Sequence, residues 1–157
     1  MNISVTVNLQ SPKWKSYLKP YTRSVRDIIR LAFYECEIAE EKKKKSLSVV
    51  LADDDFVKNL NANYRHKNQP TNVLSFPDGS EDENEEIYLG DITLAFETIE
   101  KEAIEQKKTF YNHTAHLLVH GFLHLLGYDH IKEHEAEKME AKEIEILAKF
   151  SIENPYL

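Results

Sequence analysis

Hydrophobic and polar residues alternate in the first part of the chain, and alternation with a period of two predicts strands that are buried on one face. The clearest case is residues 3–9, where apolar residues occupy every second position. Three further stretches, rich in branched or aromatic residues, also predict strands. They are residues 47–52, 73–76 and 87–96.

The last two predicted strands are joined by residues 77–86, which are acidic and contain the turn signal Asp78-Gly79. This arrangement predicts a hairpin with a turn-rich loop. Gly90, inside the second strand of the hairpin, marks a β-bulge or a close approach of another backbone segment.

Apolar residues recur at a spacing of three or four in the other segments, which is typical of helices with one buried face. The predicted helices are residues 22–38, a helix that begins near Asp53, and residues 97–108, 111–126 and 132–150. Most strands are early and most helices late. The chain is therefore predicted to form a single α+β domain over residues 1–157, with several helices on a sheet of about four strands.

Composition narrows the class of protein. The chain has 157 residues, enough for one domain with a substantial core. No apolar stretch approaches the ~20 residues of a membrane span, and the first ten residues lack the pattern of a signal peptide. The single cysteine, Cys36, excludes an internal disulfide and a four-cysteine zinc site, and it fits a reducing cytoplasm.

The net charge of −7 conceals an asymmetry between the two halves of the chain. Residues 1–80 carry a net charge of +4, whereas residues 81–157 carry −11. Such acidity argues against strong non-specific binding to DNA, but an RNA partner that meets only the basic half remains compatible with it.

Four of the seven histidines lie on one face of the predicted helix over residues 111–126. At about 100° per residue, these side chains fall within an arc of roughly 80°. They are His113, His116, His120 and His124. The rest of this helix is strongly apolar and therefore buried, so each imidazole needs partners for its two nitrogens.

His120 and His124 are one helical turn apart, a spacing that allows both to bind one metal ion. Gly127 stands where a left-handed residue ends a helix, and the turn brings His130 back towards the other two. Three imidazoles without a fourth protein ligand are typical of a catalytic zinc, one ion per chain, whose open position holds water. Asp129 is a candidate for orienting a ligand imidazole.

Alternatives to this metal site stay open at the level of the sequence. The histidines of the helix are alternatively hydrogen-bonded core residues. His113 and His116 either line a cavity above the metal or are packed in the interior. Nickel, copper and iron share the preference of zinc for imidazole, so the residues alone do not identify the ion.

The spacing of the three histidines also matches the metzincin proteases, in which His-Glu-x-x-His is followed by glycine and a third histidine. In those enzymes the glutamate after the first histidine is the general base. Here that position is Gly121, which has no side chain. A peptidase is therefore disfavoured, although the metal ligands are in place.

Residues 120–130 resemble the signature of the YbeY endoribonucleases, the bacterial rRNA maturation factors, at every specified position of His-Gly-x-Leu-His-Leu-x-Gly-Tyr-Asp-His. Residues 65–77 and the segment Leu-Gly-Asp-Ile at 89–92 resemble two further blocks of that family. Asn72 departs from the family, which usually has aspartate there, and Asn68 stands where aspartate is also common. Both keep the size and an acceptor atom but lose the charge that a base or an acidic ligand needs.

The resemblance implies a small mixed sheet with several helices, and a zinc ion bound by His120, His124 and His130 at the end of the histidine-bearing helix. It implies single-strand-specific cleavage of RNA, maturation of the 16S rRNA 3′ end and ribosome quality control. Its partners would be ribosomal RNA and the small ribosomal subunit, with its proteins as candidates. The resemblance also assigns a functional role to Arg65, which would otherwise be taken as a surface arginine.

These expectations suit metal-assisted hydrolysis of a phosphodiester, in which Arg65 would clamp the phosphate. Ser75 and His116 are further candidates for the catalytic cavity. Six basic residues form either an RNA-binding face or a solvated one: Lys13, Lys15, Lys19, Arg23, Arg26 and Arg30. A rival hypothesis is a ribosome-assembly factor with a structural metal, for which His116 or Asp129 would supply a fourth ligand.

Overall fold

Four strands and six helices follow one another in the parts of the chain that a computed structural model describes, residues 3–36, 43–65 and 71–157. The side chain of Arg65 lies outside that description. In chain order the elements are β1 Ile3–Leu9, α1 Trp14–Tyr17, α2 Tyr21–Glu35, β2 Lys45–Ala52, α3 Asp54–Arg65, β3 Val73–Glu81, β4 Ile87–Ala95, α4 Phe96–Glu105, α5 Phe110–Leu125 and α6 Glu133–Ala148.

The strands form one sheet in the order β1-β2-β4-β3. β1 pairs with β2, and β2 with β4, in parallel, whereas β3 and β4 form the antiparallel hairpin that the sequence predicts. The α+β class and the small mixed sheet are confirmed. Among the described strands, β3 lies at one edge of the sheet.

Alternation along the strands divides the apolar side chains between two faces of the sheet. The larger cluster joins the sheet to α2, α5 and α6 through residues such as Val49, Ile92 and Phe122, all of them fully buried. A smaller cluster on the opposite face holds α3 through Val57 and Leu74. Burying a large apolar side chain contributes about 2 kcal/mol, so these clusters fix α5 firmly against the sheet.

Gly90 confirms both parts of its sequence interpretation. The register of β2 against β4 shifts beside it, with Ser46 opposite Tyr88 and Leu47 opposite Gly90. Its φ is +137°, and a Cβ atom at this position would lie 2.2 Å from the carbonyl oxygen of Phe76. Only glycine lets β3 and β4 approach so closely here.

The prediction of a loop over residues 77–86 is partly wrong. β3 continues through Pro77 to Glu81, with a register shift between Pro77 and Ser80, and the turn follows at 82–86. There the Asp82 side chain accepts hydrogen bonds from two backbone N–H groups. An edge strand tolerates proline because its outer N–H has no partner to lose.

The short helix α1 has no counterpart in the sequence interpretation. It places Trp14 in the core, where the indole N–H donates a hydrogen bond to the carbonyl oxygen of Ala52 at 2.9 Å. Among the described residues, no helix is both long enough and apolar enough to cross a lipid bilayer.

Candidate metal centre

The end of α5 carries two of the three predicted ligands and turns the chain towards the third. The N–H of Gly127 donates to the carbonyl of His124, and the N–H of Tyr128 donates to the carbonyl of Leu123. This is the Schellman pattern, and Gly127 adopts the left-handed φ of +96° that it requires. The predicted glycine stop is confirmed.

The three histidines meet beyond this turn. One ring nitrogen from each of His120, His124 and His130 lies within 4.8 Å of the other two. The Nε2 atoms of His120 and His124 are 3.1 Å apart. The three rings therefore converge on one point, where they can hold a metal ion.

The separation of the His120 and His124 nitrogens suits two ligands of one tetrahedral ion. Two nitrogens that each lie about 2.0–2.1 Å from one zinc ion are about 3.3 Å apart, close to the separation of the two Nε2 atoms. Burial, together with the neighbouring His120 and His130, lowers the pKa of His124. A lowered pKa favours the neutral imidazole that a metal requires.

Glu143, on α6, is a functional residue that the sequence interpretation misses. Its carboxylate is fully buried and accepts a hydrogen bond from Nδ1 of His120. A proton on Nδ1 leaves the lone pair of Nε2 free for a metal, which is how carboxylates support histidine ligands in metal sites. Asp129, the candidate for that task, instead accepts a hydrogen bond from the backbone N–H of His130 at 2.7 Å.

The charge of Glu143 is stabilised by its neighbours. Burial by itself raises the pKa of a carboxyl group, but hydrogen bonds from His116, His120 and Tyr156 outweigh burial and lower the pKa of Glu143 to about 2. The carboxylate is therefore ionised at neutral pH. It places a negative charge directly behind one ligand.

A signal for Glu143 does exist in the sequence. It occupies the buried face of α6, together with Met139, Ile146 and Leu147. A glutamate at a helical spacing otherwise filled by apolar residues is unusual, because carboxylates are rarely buried without partners. The spacing does not reveal which partners those are.

A cleft of about 840 Å³ opens beside the histidines. It is lined by the three ligands, the turn after α5, the start of β3 and Asn61 of α3. Ser75 lies in this cleft and donates a hydrogen bond to the carbonyl of Gly121 at 3.1 Å. Arg65 is the last residue of α3, one turn after Asn61, and its side chain lies outside the described part of the structure.

The structure places the other two histidines of α5 behind the cleft rather than among its lining residues. His116 contacts the carboxylate of Glu143 at 3.3 Å. His113 is 3% exposed and contacts Glu102 at 2.9 Å. Both imidazoles contact a carboxylate within the protein, as the packed alternative describes.

Asn72, one of the departures from the family pattern, lines the cleft and contacts the carboxylate of Glu102, which is also the partner of His113. Its Nδ2 donates to Oε1 of Glu102 at 2.9 Å. An aspartate there would set two carboxyl groups against each other, whereas the amide of Asn72 donates a hydrogen bond to Glu102. Asn68, the other departure, lies outside the described residues.

The close packing of α5 on the sheet explains why position 121 is glycine, where metzincin proteases have their catalytic glutamate. A Cβ atom at Gly121 would lie 3.0 Å from Cγ2 of Ile92 and 3.1 Å from Oγ of Ser75. The position faces the sheet, so a glutamate would collide with the core before it reached a metal.

Two members of the candidate basic face contact other groups of the protein. Lys13 pairs with Glu97, and Nε of Arg26 donates to the carbonyl of Val5 at 3.0 Å. Tyr17, between Lys15 and Lys19 in the chain, packs on Phe110 at the start of α5. His120 follows ten residues later, a helical distance of about 15 Å. This placement favours a structural role for Lys13 and Arg26.

Comparison with known proteins identifies the family. The family model described as "Endoribonuclease YbeY" matches residues 7–151. The chain belongs to the YbeY family. Two relatives named Endoribonuclease YbeY illustrate the match: that of Sinorhizobium fredii is 41% identical, covering 98% of this chain and 92% of the relative, and that of Magnetococcus marinus is 50% identical, covering 71% and 82%.

The YbeY fold has a counterpart among solved structures. The solution structure of TM1509 from Thermotoga maritima is similar with a TM-score of 0.55 and 25% identity, over 94% of this chain and 92% of that one. The relatives bear the name of endoribonucleases, which are hydrolases that act on RNA. The resemblance inferred from residues 120–130 is thereby confirmed.

Proposed function

We propose that this chain is a zinc-dependent, single-strand-specific endoribonuclease that matures the 3′ end of 16S rRNA and acts in ribosome quality control. The observation that carries the proposal is the convergence of His120, His124 and His130 beside a cleft, in a chain of the YbeY family. Its partners are ribosomal RNA and the small ribosomal subunit. Its place is the cytoplasm, which suits the single free cysteine.

The three histidines hold one ion in this proposal, and Glu143 fixes the ring of His120. When bound, zinc acidifies a water molecule and polarises a phosphoryl oxygen. Five of the described residues that line the cleft have neutral polar side chains: Asn61, Thr71, Asn72, Ser75 and Tyr128. Neutral polar groups suit hydrogen bonds to ribose hydroxyls and base edges.

Arg65 supplies the positive charge that the phosphate requires. It follows Asn61 by one helical turn at the end of α3, and the segment after it leads to the cleft residues Thr71 and Asn72. A guanidinium forms two parallel hydrogen bonds to a phosphate and stabilises the charge that develops during hydrolysis. Ser75 lies in the cleft, whereas His116 acts from behind it through Glu143.

Cleavage of a single-stranded RNA by the purified protein tests this function. We expect His120→Ala and Arg65→Ala each to reduce the rate by at least about 100-fold while the fold is retained. His134→Ala is the matched control, because His134 is exposed on α6 and is not among the residues lining the cleft. Circular dichroism verifies folding of each variant.

Two outcomes would contradict the proposal. If protein stripped of metal cleaves as fast as the loaded protein, the activity comes from a contaminating nuclease. If the protein binds the small subunit tightly but leaves every RNA intact, it is an assembly factor with a structural metal. Among the described residues no fourth ligand joins the three histidines, which favours the enzyme.

A further inference from the structure

The carboxylate of Glu143 has a donor that comes from the end of the chain. Oε1 faces Nδ1 of His120, whereas Oε2 accepts from Nε2 of His116 at 3.3 Å and from the hydroxyl of Tyr156. The contact with His116 is long for a hydrogen bond, so the tyrosine hydroxyl is the principal partner of Oε2.

The segment 152–157 is anchored so that Tyr156 reaches this carboxylate. Ile152 packs in the core, and Nζ of Lys108 donates to the carbonyl of Pro155 at 3.3 Å. The N–H of Tyr156 donates to Oδ1 of Asn154 at 2.8 Å. The tyrosine ring then packs edge-on against His116, with 5.5 Å between ring centres.

This contact lies beyond the part of the chain that the family describes. The YbeY family model matches residues 7–151, so Tyr156 is outside it. Tyr156 is 45% exposed, yet its hydroxyl donates a hydrogen bond to a side chain that is fully buried. The hydroxyl contact therefore links an exposed position of the chain to the buried carboxylate of Glu143.

We propose that Tyr156 is a positioning residue for the metal ligand His120 and acts through Glu143. The hydroxyl holds Oε2, which fixes the plane of the carboxylate, and Oε1 then fixes the ring of His120. His120 needs such support because its side chain is 23% exposed and can otherwise rotate. The inference rests on the metal site of the proposed function.

Phenylalanine at position 156 removes the hydroxyl and leaves the ring in place. We expect Tyr156→Phe to weaken Zn²⁺ binding about tenfold, the lower end of the range for residues that support metal ligands. Competition with a coloured chelator, in the absence of RNA, measures this affinity. The visible absorption of bound Co²⁺ should change as well, because it reports the coordination geometry. Tyr34→Phe is the control, since Tyr34 is exposed on α2.

A double-mutant cycle shows whether the effect passes through the carboxylate. We expect Glu143→Gln to weaken Zn²⁺ binding by about 10- to 100-fold. Tyr156→Phe should then add less than about twofold to that loss, because coupled residues are not additive. The melting temperatures of the metal-free proteins identify any variant that is merely destabilised.

Several results would overturn the inference. The Zn²⁺ affinity of Tyr156→Phe could equal that of the parent, or Tyr34→Phe could lose as much Zn²⁺ affinity as Tyr156→Phe. The losses of Zn²⁺ affinity in Tyr156→Phe and Glu143→Gln could be fully additive. Tyr156→Phe could also have a lower melting temperature with unaltered Zn²⁺ affinity and Co²⁺ absorption. Failure of the proposed function is recognised separately. In that case the parent protein binds no metal, or it binds metal and does not cleave RNA.

Discussion

His113 is a buried histidine that links the core of α5 to the cleft. Its Nε2 donates to the same oxygen of Glu102 that accepts from Asn72. Burial lowers the pKa of His113, although Glu102 opposes this effect, and the nearby Lys108 and His116 add to it. The folded protein therefore favours the neutral form of this side chain.

This lowered pKa predicts a loss of stability in acid. The unfolded chain binds a proton at His113 near pH 6.5, whereas the folded chain binds it only at lower pH. Neutral His113 thus makes its full contribution to the free energy of unfolding above about pH 6.5. This contribution is lost as the pH falls through the pKa that His113 has in the folded protein. The parent should lose more unfolding free energy than His113→Gln between pH 7.5 and 5.5, by up to about 1.4 kcal/mol per pH unit.

Urea unfolding of metal-free protein at several pH values measures this difference. The three histidines of the metal centre are the same in both proteins, so any contribution they make cancels in the comparison. His134→Gln serves as the control because His134 is exposed. Equal pH dependence in the parent and in His113→Gln would show that His113 takes up its proton in the folded state as readily as in the unfolded chain.

The convergence of the three histidines is predictable from the sequence at this scale, whereas the residues that contact them from other elements are not. His120, His124 and His130 fall in one short segment, where helical spacing and a glycine turn determine their relative positions. Glu143 and Tyr156 meet them only because α6 and the segment after it pack against α5. No spacing rule connects residues on separate elements.

At the scale of the elements, the turn after α5 is the feature on which the metal site depends. Gly127 has a left-handed φ of +96°, and His130 follows three residues later. Gly127→Ala should lower the unfolding free energy by about 1–2 kcal/mol, the cost of this conformation for a residue with a Cβ atom. It should also weaken Zn²⁺ binding at least about tenfold, because His130 is displaced.

Gly79 provides a matched control for this prediction. Its φ is +87°, and a Cβ atom there, as at Gly127, would have no neighbour within 4 Å. Gly79→Ala should therefore lose similar stability and keep its affinity for Zn²⁺, as measured by calorimetry. An equal loss of affinity in both variants would mean that the turn has no specific role in placing His130.

The differences between predicted and observed elements have local physical causes. The long helices and β1 are predicted well because each repeats one buried face over several turns or positions. α1 has four residues between Pro12 and Pro20, too few for any periodicity to show. β3 continues past Pro77 because the edge of a sheet accepts a proline, so a turn signal there did not end the strand.

At the scale of the whole molecule, charge determines how RNA can bind. Among the described residues that line the cleft there is no lysine or arginine. Lys13 is paired with Glu97, at the start of α4. A chain with a net charge of −7 therefore depends on few phosphate contacts.

Because few side chains contact RNA phosphates, we expect RNA binding to depend only weakly on salt concentration. With about two phosphates neutralised, the slope of log Kobs against log salt concentration should be about −1.4. Arg65→Gln should make it shallower by about 0.7, and Lys13→Gln should leave it unchanged. Filter binding over a range of salt concentrations measures the slope. A value steeper than about −4 would instead indicate a broad phosphate-binding surface.

The distribution of the metal site along the chain also has a consequence during protein synthesis. All three ligands and Gly127 have been synthesised by residue 130, whereas Glu143 and Tyr156 follow later. A nascent chain thus exposes a complete set of imidazoles before the carboxylate that orients His120 exists. In the proposed metal site, an ion captured at that stage would be held less tightly than after Glu143 and Tyr156 have packed against α5.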